Sequence, residues 1–149
     1  PSALVTGGSS GLGLAIARML GDEGYALTLA GRKLERLEAA REGLDAAIVS
    51  ADVSSEEDCD RLVAEHVALH GGLDVLVNSA GIGIAGLVGD TKTKAWDLQQ
   101  AVNLRGAFLV TRAAPLTFAS RRDTSSIWPR SRARCRPRGS QPTERRRRP

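Results

Sequence analysis

The residues best placed to do chemistry lie close to the start of the chain. Thr6-Gly7-Gly8-Ser9-Ser10-Gly11-Leu12-Gly13 joins the apolar run Ala3-Leu4-Val5 to a stretch with helical spacing. Each of three glycines meets a separate physical need. Gly7 permits a tight turn out of the strand, Gly11 lets the backbone approach a pyrophosphate, and Gly13 lets a helix pack closely on a strand. A helix that begins here presents unbonded N–H groups and the positive end of its dipole to phosphate. Ser9 and Ser10 add hydroxyl donors. A glycine trio alone is a weak signal, and strand before, helix after and a βαβ unit around it are what make it specific.

About 20 residues beyond such a turn, proteins that bind NAD place an acid that bonds the ribose 2′-hydroxyl. Here the corresponding text is Ala30-Gly31-Arg32-Lys33, which has no carboxylate. Arg32 offers a planar fork to phosphate oxygens and Lys33 a point charge. That pattern favours NADP(H) over NAD(H); the competing reading is that both residues merely open a solvated helix.

The elements that must position these residues alternate between strand and helix patterns. Residues 3–5, 25–30, 47–49 and 73–77 read as four buried strands. A first helix is expected to turn Leu12, Ile16, Met19 and Leu20 to one face and to close at Gly24. A second carries Leu34, Leu37 and Leu44. A third is capped by Ser54 or Ser55, with Leu62, Val63, Val67 and Leu69 inward. A helical region from about residue 93 to 118 follows a Gly-rich loop. Apolar strands separated by helical stretches of 10–15 residues imply an α/β fold with a parallel sheet and right-handed crossovers. The expected architecture is a Rossmann-type doubly wound sheet, incomplete at about four strands, with strand order 3-2-1-4.

With the strand-loop-helix context in place, the spacing Thr-Gly-x-x-x-Gly-x-Gly resembles that of the short-chain dehydrogenase/reductase family. Further matches follow in that family's order. Asp52-Val53 comes after the third strand, where the family contacts the adenine ring. Asn78-Ser79-Ala80-Gly81 comes after the fourth and resembles the family's Asn-Asn-Ala-Gly, with Ser79 a mild departure. Asn103 matches the asparagine of the family's catalytic tetrad. The resemblance covers about residues 2–117. It implies a cofactor site drawn from Thr6, Gly7, Ser9, Ser10, Gly11, Leu12, Gly13, Arg32, Lys33, Asp52, Val53, Asn78, Ala80 and Gly81. It also implies a parent enzyme that moves a hydride between a nicotinamide and a carbonyl or alcohol, usually as a homo-oligomer.

That reaction needs a proton donor at the carbonyl oxygen and a cation to lower the donor's pKa. In the resembled family these are a Tyr and a Lys four residues later, with a Ser upstream and the Asn holding a water. This sequence has one tyrosine, Tyr25, in the second strand, with Leu29 four residues on. Its lysines are Lys33, Lys92 and Lys94. Near position 140, where the family's spacing from Asn103 would place the Tyr, the chain reads Ser140-Gln141-Pro142-Thr143-Glu144. Ser125, Ser126 and Ser131 are read as generic serines. Asn103 is thus either a remnant of the tetrad or a helix asparagine that bonds nearby backbone. The expectation is an NAD(P)-dependent oxidoreductase of that family that is inactive as given, with a non-catalytic dinucleotide-binding module as the alternative. The substrate is out of reach.

Charge divides the chain in two. Residues 1–117 carry 10 Lys and Arg against 15 Asp and Glu, whereas residues 118–149 carry 11 Arg against Asp123 and Glu144. The second segment is rich in Arg, Pro and Ser and has only Ile127 and Trp128 as large apolar residues beyond position 120. It is expected to be disordered, since it cannot bury enough apolar surface to offset its ordering entropy. The shift near residue 118 suggests a reading-frame change in the gene; a purposeful basic tail is the alternative, with salt-sensitive, sequence-blind nucleic-acid binding as its function. The first segment alone would leave its fourth strand as an exposed edge, so a marginal, association-prone domain is expected. No apolar run approaches the ~20 residues of a membrane span, and a cytoplasmic location is expected. Cys59 and Cys135 are read as unpaired thiols, His66 and His70 as a solvated helix face without a third metal ligand, Trp96 as a packing residue and Asp74 as a loop contact. No metal site is expected.

Overall fold

A computed structural model describes residues 1–114. Four strands, β1 (Ser2–Thr6), β2 (Ala26–Gly31), β3 (Ala46–Ser50) and β4 (Val75–Asn78), form one parallel sheet in the order β3-β2-β1-β4. Helices α1 (Gly11–Asp22), α2 (Leu34–Ala40) and α3 (Glu56–His70) make the crossovers. After β4 come α4 (Thr93–Gln100), a π-helical stretch (Ala101–Gly106) and α5 (Ala107–Ala113). This is the expected Rossmann-type sheet and strand order. The expectations of a disordered tail, a frame change and nucleic-acid binding fall largely on residues 115–149, outside the described part.

The central strands of the sheet, β1 and β2, are covered on both faces. Every residue of β1 is buried. One face packs Leu4, Ala30 and Val49 against Leu62 and Val63 of α3 and Leu109 and Val110 of α5. The other packs Ala3, Val5, Leu27 and Leu29 against Ala17 of α1 and Leu37 of α2. Burial on both faces is why these strands read as unbroken apolar runs rather than alternating ones.

Helix ends follow local chemistry. α1 ends at Gly24, whose φ of +83° is the left-handed turn that glycine adopts without strain. The Tyr25 N–H then reaches back to the Leu20 carbonyl at 3.0 Å. Of the two serines expected to cap α3, Ser55 does so, accepting from the Asp58 N–H at 3.3 Å.

The inward faces of the helices differ from expectation. Leu12 and Met19 are exposed, at 78% and 63%, and the buried residues of α1 are Gly13 and Ala17. Small residues face the sheet so that the helix axis can approach it, and the leucines that pack, Leu14 and Leu20, flank that line. Leu34 and Leu69 are likewise exposed. Leu44 packs on the core from beyond the end of α2. The expected solvated face of α3 is also corrected: His66 is fully buried, and its place is taken outside by Leu69. Hydrophobic spacing cannot distinguish these faces when a buried histidine has hydroxyl partners on the sheet. Trp96 is more than half exposed rather than packed. Asp74 is a loop contact as expected: its carboxylate accepts from the Ser2 N–H at 2.7 Å.

Candidate cofactor crevice

At the carboxyl ends of β1, β2 and β3 the chain leaves a cavity of about 420 Å³. Open α/β sheets bind ligands at this end, where neighbouring connections run to opposite sides of the sheet. Gly7 turns out of β1 at φ +67°, and a Cβ there would lie 2.8 Å from backbone atoms of Ser79 and Ala80. Gly13 is tighter still, since its Cβ would stand 2.5 Å from the Gly7 carbonyl oxygen. Gly11, at φ +57°, faces open space. Two glycines are therefore required by close packing and the third by backbone conformation beside an open volume.

Thr6 ties the two loops together from below. Its hydroxyl oxygen accepts from the N–H groups of Ser79 and Ala80, both at 3.2 Å, and the hydroxyl donates to the Val77 carbonyl at 3.3 Å. Ser10 precedes α1 in an extended conformation and makes no side-chain cap bond. The first-turn N–H groups of α1 have no acceptor within the helix, and they open at the rim formed by Ser10, Gly11 and Leu12.

Ten of the expected site residues line the cavity: Gly7, Ser9, Ser10, Gly11, Leu12, Arg32, Asp52, Val53, Ala80 and Gly81. Four do not. Thr6 and Gly13 lie behind the lining in the roles just described. Lys33 is exposed at the start of α2, and the Asn78 amide donates to the Thr111 hydroxyl at 3.0 Å, toward α5. The structure adds Gly31, Arg36, Ala51, Ser79, Ile82 and Val102 to the lining. Arg36 sits four residues after Arg32 and one turn into α2, a spacing that could have found it. Ile82 and Val102 form an apolar wall that no sequence motif marks.

The acidic side of the cavity is pinned. The Asp52 carboxylate accepts from Ser54 N–H and Oγ–H at 2.9 and 2.7 Å, and its own N–H donates to Asp58 Oδ2 at 2.8 Å. That backbone bond, seconded by the Arg61 guanidinium, holds the Asp58 carboxyl below its ordinary pKa. Nearby, Cys59 is a free buried thiol pushed up to about 11, first by burial and then by surrounding carboxylates. It is chemically quiet at neutral pH.

Asn103 lies in the π-helical stretch and spends both ends of its amide on one residue. Its oxygen accepts from the Ile82 N–H at 2.8 Å, and its NH₂ donates to the Ile82 carbonyl at 2.8 Å. These bonds tie the loop after β4 to the π-helical stretch. Tyr25 lies at the opposite end of the sheet from the cavity, next to the first residue of β2. Among the described residues no cluster of three or more His, Cys, Asp or Glu could hold a metal ion, and no helix is long and apolar enough to cross a membrane.

Comparison with known proteins agrees with this architecture. The family model for short chain dehydrogenases matches residues 1–127, ten residues past the change in composition. An uncharacterized oxidoreductase of Staphylococcus aureus (strain USA300) is 36% identical over 115 residues, which is 75% of this chain and 50% of that protein. A metagenomic short-chain oxidoreductase solved in complex with NADP superposes with a TM-score of 0.75 at 34% identity, over 80% of this chain and 57% of its own. A single-substitution variant of actinorhodin polyketide ketoreductase, solved with NADPH, gives 0.71 at 39%, over 76% of this chain and 45% of its own. The chain spans about half the length of the curated relatives it matches.

Proposed function

The chain belongs to the short chain dehydrogenase family, and from that premise we propose that its crevice binds NADP(H), in preference to NAD(H), without turning it over. The residues fit a dinucleotide: a glycine-walled backbone cradle at one end, two arginines at the other, and an apolar wall between them. The cradle of Ser10, Gly11 and Leu12 would take the pyrophosphate, Asp52 and Val53 the adenine, and Ala80, Gly81 and Ile82 the middle of the molecule. Such a cofactor supplies hydride chemistry when bound. What this chain contributes is orientation and charge.

The observation that carries the NADP preference is the pair Arg32 and Arg36 in one cavity wall, where the only lining carboxylate among the described residues, Asp52, is already engaged by Ser54. A 2′-phosphate would meet two guanidinium groups, and each charge-assisted bond is worth about 1.5–3 kcal/mol. The reading of no turnover rests on the sequence: one tyrosine, placed at the wrong end of the sheet, and no Tyr-x-x-x-Lys anywhere in the chain. The same reading places the parent activity among oxidoreductases acting on a carbonyl or alcohol, in line with the named relatives.

Calorimetric titration of the full chain with NADPH and NADH tests the proposal. NADPH should bind at least tenfold more tightly, and Arg32→Ala with Arg36→Ala should abolish that difference while leaving NADH binding within about threefold. Equal affinity for the two cofactors in the unaltered chain would remove the NADP reading. Steady oxidation of NADPH by a panel of ketones would remove the reading of no turnover.

A further inference from the structure

The π-helical stretch reaches both sides of the crevice. Val102 lines the cavity, and the Asn103 amide holds both backbone groups of Ile82. Further along, the stretch meets the turn after β3 instead. The Arg105 guanidinium donates to the Ser54 carbonyl at 2.7 Å and stands 3.7 Å from the Glu56 carboxylate. Gly106 is pressed on Val53: a Cβ there would lie 2.8 Å from Val53 Cγ2 and 3.0 Å from the Val53 carbonyl oxygen.

Gly106 has ordinary helical torsions, φ −60° and ψ −48°. That conformation suits any residue, and inside a helix alanine is the more favourable choice. What glycine supplies here is room. The turn it meets is held from behind by α3: the Asp52 N–H donates to Asp58 Oδ2 at 2.8 Å, and the Cys59 thiol donates to the Val53 carbonyl at 3.3 Å. A valine side chain is also stiff about its first torsion. An atom added at position 106 therefore has two outlets. Either Val53 gives way, which moves a side chain of the cavity lining, or the π-helical stretch backs off and takes Val102 and the Asn103 bonds with it. Both change the crevice.

We propose that Gly106, with Arg105 beside it, is a positioning residue for the dinucleotide: it sets the depth of the adenine seat at Asp52 and Val53. This rests on the reading that the adenine lies against those two residues. Gly106 and Arg105 do not line the cavity themselves; they act through the turn of residues 52–54. The adenine is common to NADPH and NADH, so a shift of Val53 weakens both alike. Arg32 and Arg36 act on the 2′-phosphate, which NADPH alone carries. The two effects are therefore separable in one titration.

Calorimetric titration with NADPH and NADH of the full chain, Gly106→Ala, Val53→Ala and the double variant tests this. Gly106→Ala should weaken both dinucleotides by the same factor, about tenfold, as the added atom overpacks the seat. Val53→Ala removes the Cγ atoms that the new Cβ would meet, so in that background Gly106→Ala should cost less than about threefold. A merely structural glycine would lower the urea midpoint and leave the affinity of the folded chain unchanged, and that result would overturn the proposal. An equal loss of affinity in the two backgrounds would overturn it too. If Gly106→Ala does not fold, Arg105→Ala serves instead, since that side chain is half exposed. Freeing the Ser54 carbonyl should weaken both dinucleotides about threefold; affinity equal to the parent's would count against the proposal. An unaltered chain that binds NADPH and NADH equally removes the NADP preference alone. One that binds neither removes the reading of the crevice and this inference with it.

Discussion

The two walls of the crevice are built differently. The wall from β1, β2 and the glycine turn is interlocked: Gly7 is pressed against Ser79 and Ala80, Gly13 against Gly7, and the Thr6 hydroxyl is bonded to the loop after β4. The segment from residue 84 to 108, of which Val102 lines the crevice, carries exposed Ile84, Leu87, Val88, Trp96, Leu98, Leu104 and Phe108, and α4 has no buried residue. An open apolar depression of about 560 Å³ lies there, lined by Leu104, Phe108 and their helix neighbours. One wall derives its shape from backbone packed on backbone. The other has one such close approach, Gly106 against Val53, and beyond it is held by side-chain bonds, among them Asn103 to Ile82 and Gln99 to Ile84. Close backbone packing tolerates no added atom, whereas single side-chain bonds can be lost at modest cost.

That contrast can be broken at three points, in decreasing order of effect. Gly7→Ala should be the most damaging. It adds left-handed strain of about 1–2 kcal/mol and an overpacking cost of about 1–3 kcal/mol against backbone that cannot step aside. Urea unfolding should show the combined loss, together with loss of NADPH binding; a stability within about 1 kcal/mol of the parent, the lower end of those costs, would show that the wall is softer than its distances indicate. Asn103→Leu comes next. Two hydrogen bonds to an exposed loop are worth about 1–2 kcal/mol together, and NADPH affinity should fall less than tenfold as Gly81 and Ile82 loosen. A larger loss of affinity than of stability would instead assign Asn103 a direct part in the site. Phe108→Ser should matter least. The ring is 60% exposed and its contact with the Arg112 guanidinium is at 5.9 Å, so unfolding should shift by no more than about 0.5 kcal/mol. A large shift would mean that the apolar face is covered in solution.

Much of the site was legible because its requirements are local. A turn with φ above zero beside a phosphate needs glycine whatever surrounds it, so Gly7 and Gly11 announce themselves. Arg32 is legible for the same reason, as the residue just past β2. Arg36 needed only the helix period to be applied one turn further. Lys33 was a misleading neighbour: it adjoins Arg32 in sequence, yet it stands in extended backbone ahead of α2, where successive side chains point to opposite sides, and it does not line the cavity.

By itself the sequence determined the βα alternation, the parallel sheet and its order, the glycine turn and the lack of a Tyr-x-x-x-Lys pair. These follow from short-range spacing, chain connectivity and residue identity. Only tertiary structure decided which face of each helix is inward, because that depends on what the sheet offers opposite it. Ala17 and Gly13 are buried where Leu12 was expected, since close approach of α1 to β1 outweighs the transfer of one leucine. His66 is buried because Ser2 and Thr28, more than 35 residues away in sequence, bring hydroxyls to both of its nitrogens. Long-range partners of that kind leave no periodic mark in a sequence.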